Sequence, residues 1–255
     1  MGWLATIIVA ACLAVSAAPV LSAATTSAYD TPEREWSFHG LFGTFDRGAL
    51  QRGFQVYTEV CAGCHSLRLM SYRHLASIGF SEAQIKKIAA EVEVTDGPND
   101  EGEMFQRPGQ PNDRFVSPFA NPQAARAANN GALPPDLTLM VKARGGGVDY
   151  LYNLLVGYRD PPKGVELPEG MAYNLYFNGH QIAMPAPLAE DAVEYADKKK
   201  ATIEQMAIDV STFLAWTAEP ELEERKRMGV KVLLFLLVLT GMMYAVKRKI
   251  WADVH

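Results

Sequence analysis

The chain has 255 residues, 49% hydrophobic and 21% charged, a composition that excludes intrinsic disorder, a collagen-like repeat and a disulfide scaffold. Its formal charge of −5 is unevenly divided: residues 1–28 carry none, residues 225–255 carry seven basic side chains against one acid, and residues 29–224 hold 17 basic and 28 acidic residues, a net of −11. A body of that sign repels polyanions and attracts basic partners, so nucleic acid is excluded as a ligand of its bulk field.

Residues 1–28 run apolar through Val15 and then small, with Ser22/Ala24 and Thr26/Ala28 as small-x-small cleavage pairs, which reads as an export leader. No Lys or Arg precedes the apolar run, so a retained N-terminal membrane helix is the alternative; Pro19 favours cleavage. Beyond the leader, Leu50, Phe54, Tyr57 and Cys61 recur at i, i+4, i+7 and i+11, predicting an amphipathic helix that delivers Cys61 at its end. Gly53, on a neighbouring face, would let a second helix cross closely, with Phe213 or Trp216 filling the gap.

Residues 61–65 read Cys-Ala-Gly-Cys-His, the C-x-x-C-H pattern of covalent c-type haem attachment. Two thiols three positions apart reach the two vinyl groups on one porphyrin edge, and the adjacent imidazole then falls beneath the iron. A redox C-x-x-C pair needs no following His and usually sits beside a βαβ pattern, which is absent. A zinc site needs further ligands, and Cys12, in the leader, is the only other cysteine. One haem c, held by thioethers to Cys61 and Cys64 with His65 as an axial ligand, is the expected cofactor. Such haem is attached outside the bacterial cytoplasm or in the mitochondrial intermembrane space, so residues 29–224 are expected there as one haem domain, with the simple leader favouring a bacterial periplasm.

The second axial ligand separates electron transfer from ligand binding. Met70 and His74 lie too near His65 to pass round the haem edge, and Met140 and Met206 sit at helical spacing among apolar neighbours, as core residues do. Met104 and Met171 also follow the motif. Met184 lies in Ile182-Ala183-Met184-Pro185-Ala186-Pro187, an extended stretch that presents a thioether rigidly, and is the expected ligand, with His180 as the alternative.

Segments 95–135 and 157–190, rich in Gly, Pro, Asn and Asp, read as long loops, and Asp149 to Val156 reads as a helix between them. Thr202-Ile203-Glu204-Gln205 resembles a capping box opening a helix that carries Ile203, Met206, Val210, Phe213, Leu214 and Thr217 and ends at Pro220. The fold expected is therefore mainly α, one haem-centred domain whose loops are ordered by the porphyrin. Near the C-terminus, Val232 to Val246 is uncharged and bracketed by Arg225-Lys226-Arg227 and Lys247-Arg248-Lys249, which predicts a membrane anchor over 225–248 and a short cytoplasmic tail over 249–255. A buried core helix is the alternative.

With these residues in view, the chain resembles the cytochrome c1 family, the haem subunits of quinol-cytochrome c reductase (bc1) complexes, from about Trp36 to Trp251. The resemblance rests on Arg52-Gly53-Phe54-Gln55-Val56-Tyr57 before the motif, Asn129-Asn130-Gly131-Ala132-Leu133-Pro134-Pro135-Asp136-Leu137-Thr138, Asp149-Tyr150, Gly157-Tyr158, Met184-Pro185 and Ala218-Glu219-Pro220-Glu221. It implies a class I cytochrome c-like domain, thioethers at Cys61 and Cys64 and axial ligation by His65 and Met184. It further implies that Asn129 to Leu137, Pro135 included, lines the haem and that Arg144 and Tyr150 approach its propionates. Ala183 departs from relatives that carry Arg before the Met.

The same resemblance supplies a Rieske iron-sulfur protein as electron donor and cytochrome b as neighbour in a dimeric complex embedded in lipid. In that role the subunit breaks no substrate bond and carries single electrons. Glu91, Glu93, Asp96, Asp100, Glu101 and Glu103 fall between Lys87 and Arg107 with no intervening base. Together with the net charge of −11, they predict a docking surface for a basic soluble c-type cytochrome, as against a merely solvated loop. Competing functions are an anchored c-type subunit of a terminal oxidase or nitric oxide reductase, and a haem-based ligand sensor; a general acid-base enzyme lacks a constellation.

Overall fold

The computed structural model describes residues 31–252; the expected leader lies outside them. Helix α1 (Arg47–Val56) starts where the Asp46 carboxylate accepts from the backbone N–H groups of Gly48 and Ala49, and it passes into a wider π turn, Tyr57–Cys61. A 3₁₀ stretch, Tyr72–Ile78, and α2 (Glu82–Ala90) follow. Then come an antiparallel hairpin, β1 (Glu93–Asp96) with β2 (Phe105–Pro108), and α3 (Pro122–Ala128). After α4 (Met140–Ala143) and α5 (Gly147–Val156), a two-residue pair, β3 (Ala172–Tyr173) with β4 (Gln181–Ile182), precedes α6 (Ile203–Ala218) and α7 (Leu222–Ile250).

The fold is mainly helical, and its centre is the crossing of α1 with α6. A Cβ on Gly53 would lie 2.0 Å from the Asp209 carbonyl oxygen and 2.7 Å from the Phe213 Cβ, so the expected close approach exists and only glycine permits it. Phe213 and Trp216 are fully buried beside it, and Phe213 meets the rings of Phe54 and Tyr57 at 5.8 and 5.9 Å. The crossing is also pinned electrostatically. Arg52, on α1, grips the fully buried Asp209 carboxylate through Nε and Nη2 at 2.9 and 3.0 Å and reaches Asp197 through Nη1 at 2.7 Å. Burial opposes the Arg52 charge, but the two carboxylates more than compensate and hold the guanidinium above its ordinary range.

Thr202 caps α6 by accepting from Gln205 N, as its sequence predicts, and Met140 and Met206 are core side chains. The expected long loops hold more regular structure than their composition indicates: 95–135 contains part of a hairpin and a helix, and 157–190 contains the β3–β4 pair. Helix α7 is 29 residues long and is the one helix among the described residues long and apolar enough to cross a membrane. No side chain of its most apolar window is buried, so the buried-core alternative does not hold.

Candidate functional site

The π turn delivers the C-x-x-C-H motif as a compact loop in which Cys64 N and His65 N both donate to the Cys61 carbonyl, at 3.1 and 2.9 Å. Both thiols are free, Cys61 half-buried and Cys64 exposed. Burial, reinforced by the neighbouring Cys64, pushes the Cys61 thiol up to about 12. A redox pair needs an attacking cysteine with a depressed pKa, so this environment runs against that alternative.

His65 is oriented by its ring. Its Nδ1 lies 2.8 Å from the Pro135 carbonyl oxygen; since a carbonyl only accepts, Nδ1 carries the proton and Nε2 keeps the free lone pair. Burial holds the imidazole below its usual range, against the Pro135 carbonyl and Asp136, and so favours the neutral form that ligates metals. Tyr57, deep in the core, donates its hydroxyl to the His65 carbonyl at 3.1 Å.

Pro135 is held in place by the residue after it. The Asp136 carboxylate accepts from Ser66 Oγ and Arg68 N at 2.8 Å each and from Thr138 N at 3.0 Å, while Leu137 N donates to the Ser66 carbonyl at 2.9 Å. Burial raises the Asp136 pKa, yet these hydrogen bonds outweigh it and keep the carboxyl below its ordinary value. Thr138 in turn accepts, through its carbonyl, from the buried Thr217 hydroxyl of α6. Residues 135–138 thus tie the motif to the helix crossing. Asn129 ends α3, its side-chain amide donating to Ala125 O, and left-handed Asn130 and Gly131 turn the chain back toward Pro135.

A second group of residues gathers around α5. Half-buried Tyr150 projects from that helix; burial raises its phenol pKa and the Arg144 charge opposes the rise, so the two expected propionate partners are neighbours. Exposed Arg144 donates to Ala143 O at 3.0 Å. The Tyr158 hydroxyl donates to the Met184 carbonyl at 3.2 Å. Fully buried Asn174 donates to Leu154 O at the end of α5 and accepts from Tyr176 N and Phe177 N. Half-buried Met184, just past β4, is thus held through its carbonyl by Tyr158, two residues beyond α5, while Asn174, ahead of β4, ties the preceding segment to the end of α5. His180, the alternative ligand, stacks on Tyr173 at 5.4 Å and turns its Nδ1 to Asn174 O at 3.1 Å. His74, set aside in the sequence, accepts from Ser71 N as a helix-start device.

The sequence reading assigns Asp136 no partner beyond the haem-lining segment and gives Tyr158 and Asn174 no role. An Asp following two prolines is an ordinary turn signal, and Tyr158 follows a glycine without periodicity, so neither advertises a long-range partner. The acids separate into two kinds. Asp100, Glu101 and Glu103 lie exposed between β1 and β2, with Glu91 and Glu93 exposed beside them. Asp96 instead pairs with Arg107, which also holds Asp113 at 2.6 Å.

The donor set fits a covalently held haem: two unbridged thiols at i and i+3, an adjacent imidazole with a free Nε2 and a thioether on a loop whose backbone Tyr158 holds. No group of three or more His, Cys, Asp or Glu side chains among the described residues forms an alternative metal centre. A mainly helical domain with this motif at the end of its first helix defines a class I c-type cytochrome fold carried on a helix long enough to span a bilayer. The chain matches the Cytochrome C1 family over residues 36–254 and belongs to that family. It is similar to cytochrome c1 of Rhodospirillum rubrum, 51% identical over 238 residues, 87% of this chain and 88% of that protein. It is similar also to the mitochondrial heme protein cytochrome c1 1 of Arabidopsis thaliana, 52% identical over 221 residues, 87% of this chain and 72% of that one. Against cytochrome b/c1 of Bradyrhizobium diazoefficiens it is 50% identical over 246 residues, 88% of this chain but 36% of the relative's length.

Proposed function

We propose that this chain is the haem-carrying electron-transfer subunit of a quinol-cytochrome c reductase, with Cys61 and Cys64 as thioether attachments and His65 and Met184 as axial ligands of a single haem c. The observation that carries the reading is the His65 Nδ1 to Pro135 hydrogen bond beside two free thiols, which leaves Nε2 as a fixed, neutral donor. The haem supplies a one-electron couple at its iron. The chain's own residues do the rest. Asp136 and Pro135 hold the imidazole plane, Tyr158 and Asn174 hold the Met184 loop, and the buried Gly53 crossing keeps the motif rigid, which limits rearrangement when charge changes. Arg144 and Tyr150 receive the propionates.

The partners follow from the family and the charges. A Rieske iron-sulfur protein gives the electron, a cytochrome b is the neighbour within a dimeric assembly, and a basic soluble c-type cytochrome receives the electron at the acidic hairpin. The relative named cytochrome b/c1 supports the cytochrome b neighbour, and five exposed acids support the basic acceptor. The haem domain, residues 29–224, stands on the periplasmic side, anchored by α7. The test is a reduced-minus-oxidised spectrum of the native complex: c-type and b-type bands together are expected, and absence of the b-type band overturns the quinol-cytochrome c reductase reading. Ready carbon monoxide binding by the reduced protein, or an unchanged low-spin spectrum and potential in Met184→Leu, overturns the axial assignment.

A further inference from the structure

The segment before α1 closes on itself: Thr44 N donates to Ser37 O at 3.0 Å, and His39 N to Trp36 O at 2.9 Å. Its inner carbonyls converge on one ammonium. Lys226 Nζ donates to Phe38 O at 2.7 Å, Gly40 O at 2.6 Å and Gly43 O at 3.1 Å, using all three of its protons. Glu223, one turn earlier on α7, accepts from Phe45 N at 2.8 Å and pairs with Arg47 at 2.7 Å. The loop is thus bolted to the first turns of α7. Gly40, at φ +73°, and Gly43, where a Cβ would lie 1.9 Å from the His39 carbonyl oxygen, permit the tight path.

Between those two glycines stand Leu41 and Phe42, 62% and 78% exposed. Nothing among the described residues covers them, although the same loop buries Trp36, Phe38 and Phe45. Their position along α7 is informative. Lys226 precedes Gly229, where the apolar span opens with Lys231 snorkelling to the interface, by three residues, or about 4.5 Å of helix. The headgroup layer on each side of a bilayer core is about 5–8 Å thick. The ammonium that clamps the loop therefore sits at headgroup depth, and the two apolar side chains flank it there. An aromatic and an aliphatic side chain beside a lysine at that depth suit the boundary between headgroups and acyl chains.

We propose that Leu41 and Phe42 form a second, shallow contact between the haem domain and the lipid bilayer, which together with α7 fixes the domain's tilt. The proposal rests on α7 crossing the membrane. Its test is a benzoylphenylalanine photoprobe at position 42, with a parallel variant at 41, in the full chain in its native membrane; a retained c-type spectrum confirms folding. A phospholipid adduct at both positions is the expected result, with the probe at exposed Met104 giving none. Adducts confined to a neighbouring protein, or none at 41 and 42 while a probe at Leu237 of α7 labels lipid, overturn the contact alone. No lipid adduct at Leu237 overturns the membrane reading of α7 and the proposal with it.

Discussion

Asp136 accepts from the Ser66 hydroxyl at 2.8 Å, across 70 residues of chain, and so fastens the carbonyl of the preceding Pro135 over His65. Its neutral replacement tests whether that fastening matters to the iron ligand. In Asp136→Ala, the donors at Ser66, Arg68 and Thr138 lose their acceptor, a cost of about 2 kcal/mol. Denaturant titration should show that loss. The midpoint potential should shift as well, because the His65 ring loses its fixed orientation; an unchanged potential would confine Asp136 to folding.

Gly53→Ala places a methyl group on the carbonyl of Asp209. Alanine gains about 1 kcal/mol of helix propensity over glycine, but overpacking at a backbone contact costs up to about 3 kcal/mol. A net destabilisation of about 2 kcal/mol follows, read as a lower thermal midpoint.

Asp209→Ala leaves the Arg52 guanidinium desolvated with Asp197 as its one remaining carboxylate. Breaking a buried pair in this way costs roughly 3–5 kcal/mol. The double variant Arg52→Leu with Asp209→Leu should recover much of the loss, since it strands neither charge. A double-mutant cycle by urea denaturation measures the coupling.

The acid limb of stability has a local source. Arg107 is the main reason that the Asp113 carboxyl is held below its ordinary value. A depressed folded-state value adds stability above the unfolded carboxylate range, about pH 4, and that stability disappears as pH falls through the lower folded value. Stability should therefore fall below about pH 4 less steeply in Arg107→Gln than in the parent, as followed by denaturant midpoints across that range.

Removing two exposed charges at the hairpin tip, Glu101→Gln with Glu103→Gln, should slow reduction of a basic soluble cytochrome at low ionic strength and flatten the salt dependence. Stopped-flow mixing at several salt concentrations reads both. Identical slopes in parent and variant remove the hairpin from the docking surface.

Much of this is legible in the sequence. The Leu50–Phe54–Tyr57 stripe, the Thr202 cap and the Phe213 repeat predict α1 and α6, and Gly53 predicts their close crossing, because helical periodicity and a missing side chain are local signals. Asp136, Tyr158 and the Lys226 clamp were not legible. Each acts on a backbone group many residues away, and no spacing in the chain encodes such a pairing. The hairpin of β1 and β2 hid for a different reason: its strands alternate weakly and are held by Arg107 reaching Asp96 and Asp113, an ion-pair link that hydrophobic patterning does not reveal.

The π turn at Tyr57–Cys61 holds one residue more than an α-helical path would use, and each residue of an α-helix advances the azimuth by about 100°. Deleting a single residue there would let an ordinary α turn cover the same arc, whereas inserting one just beyond it would swing both sulfur atoms and the imidazole more than a quarter revolution away from the Pro135 oxygen. Every buried ring of α1 would keep its place while the attachment face pointed elsewhere.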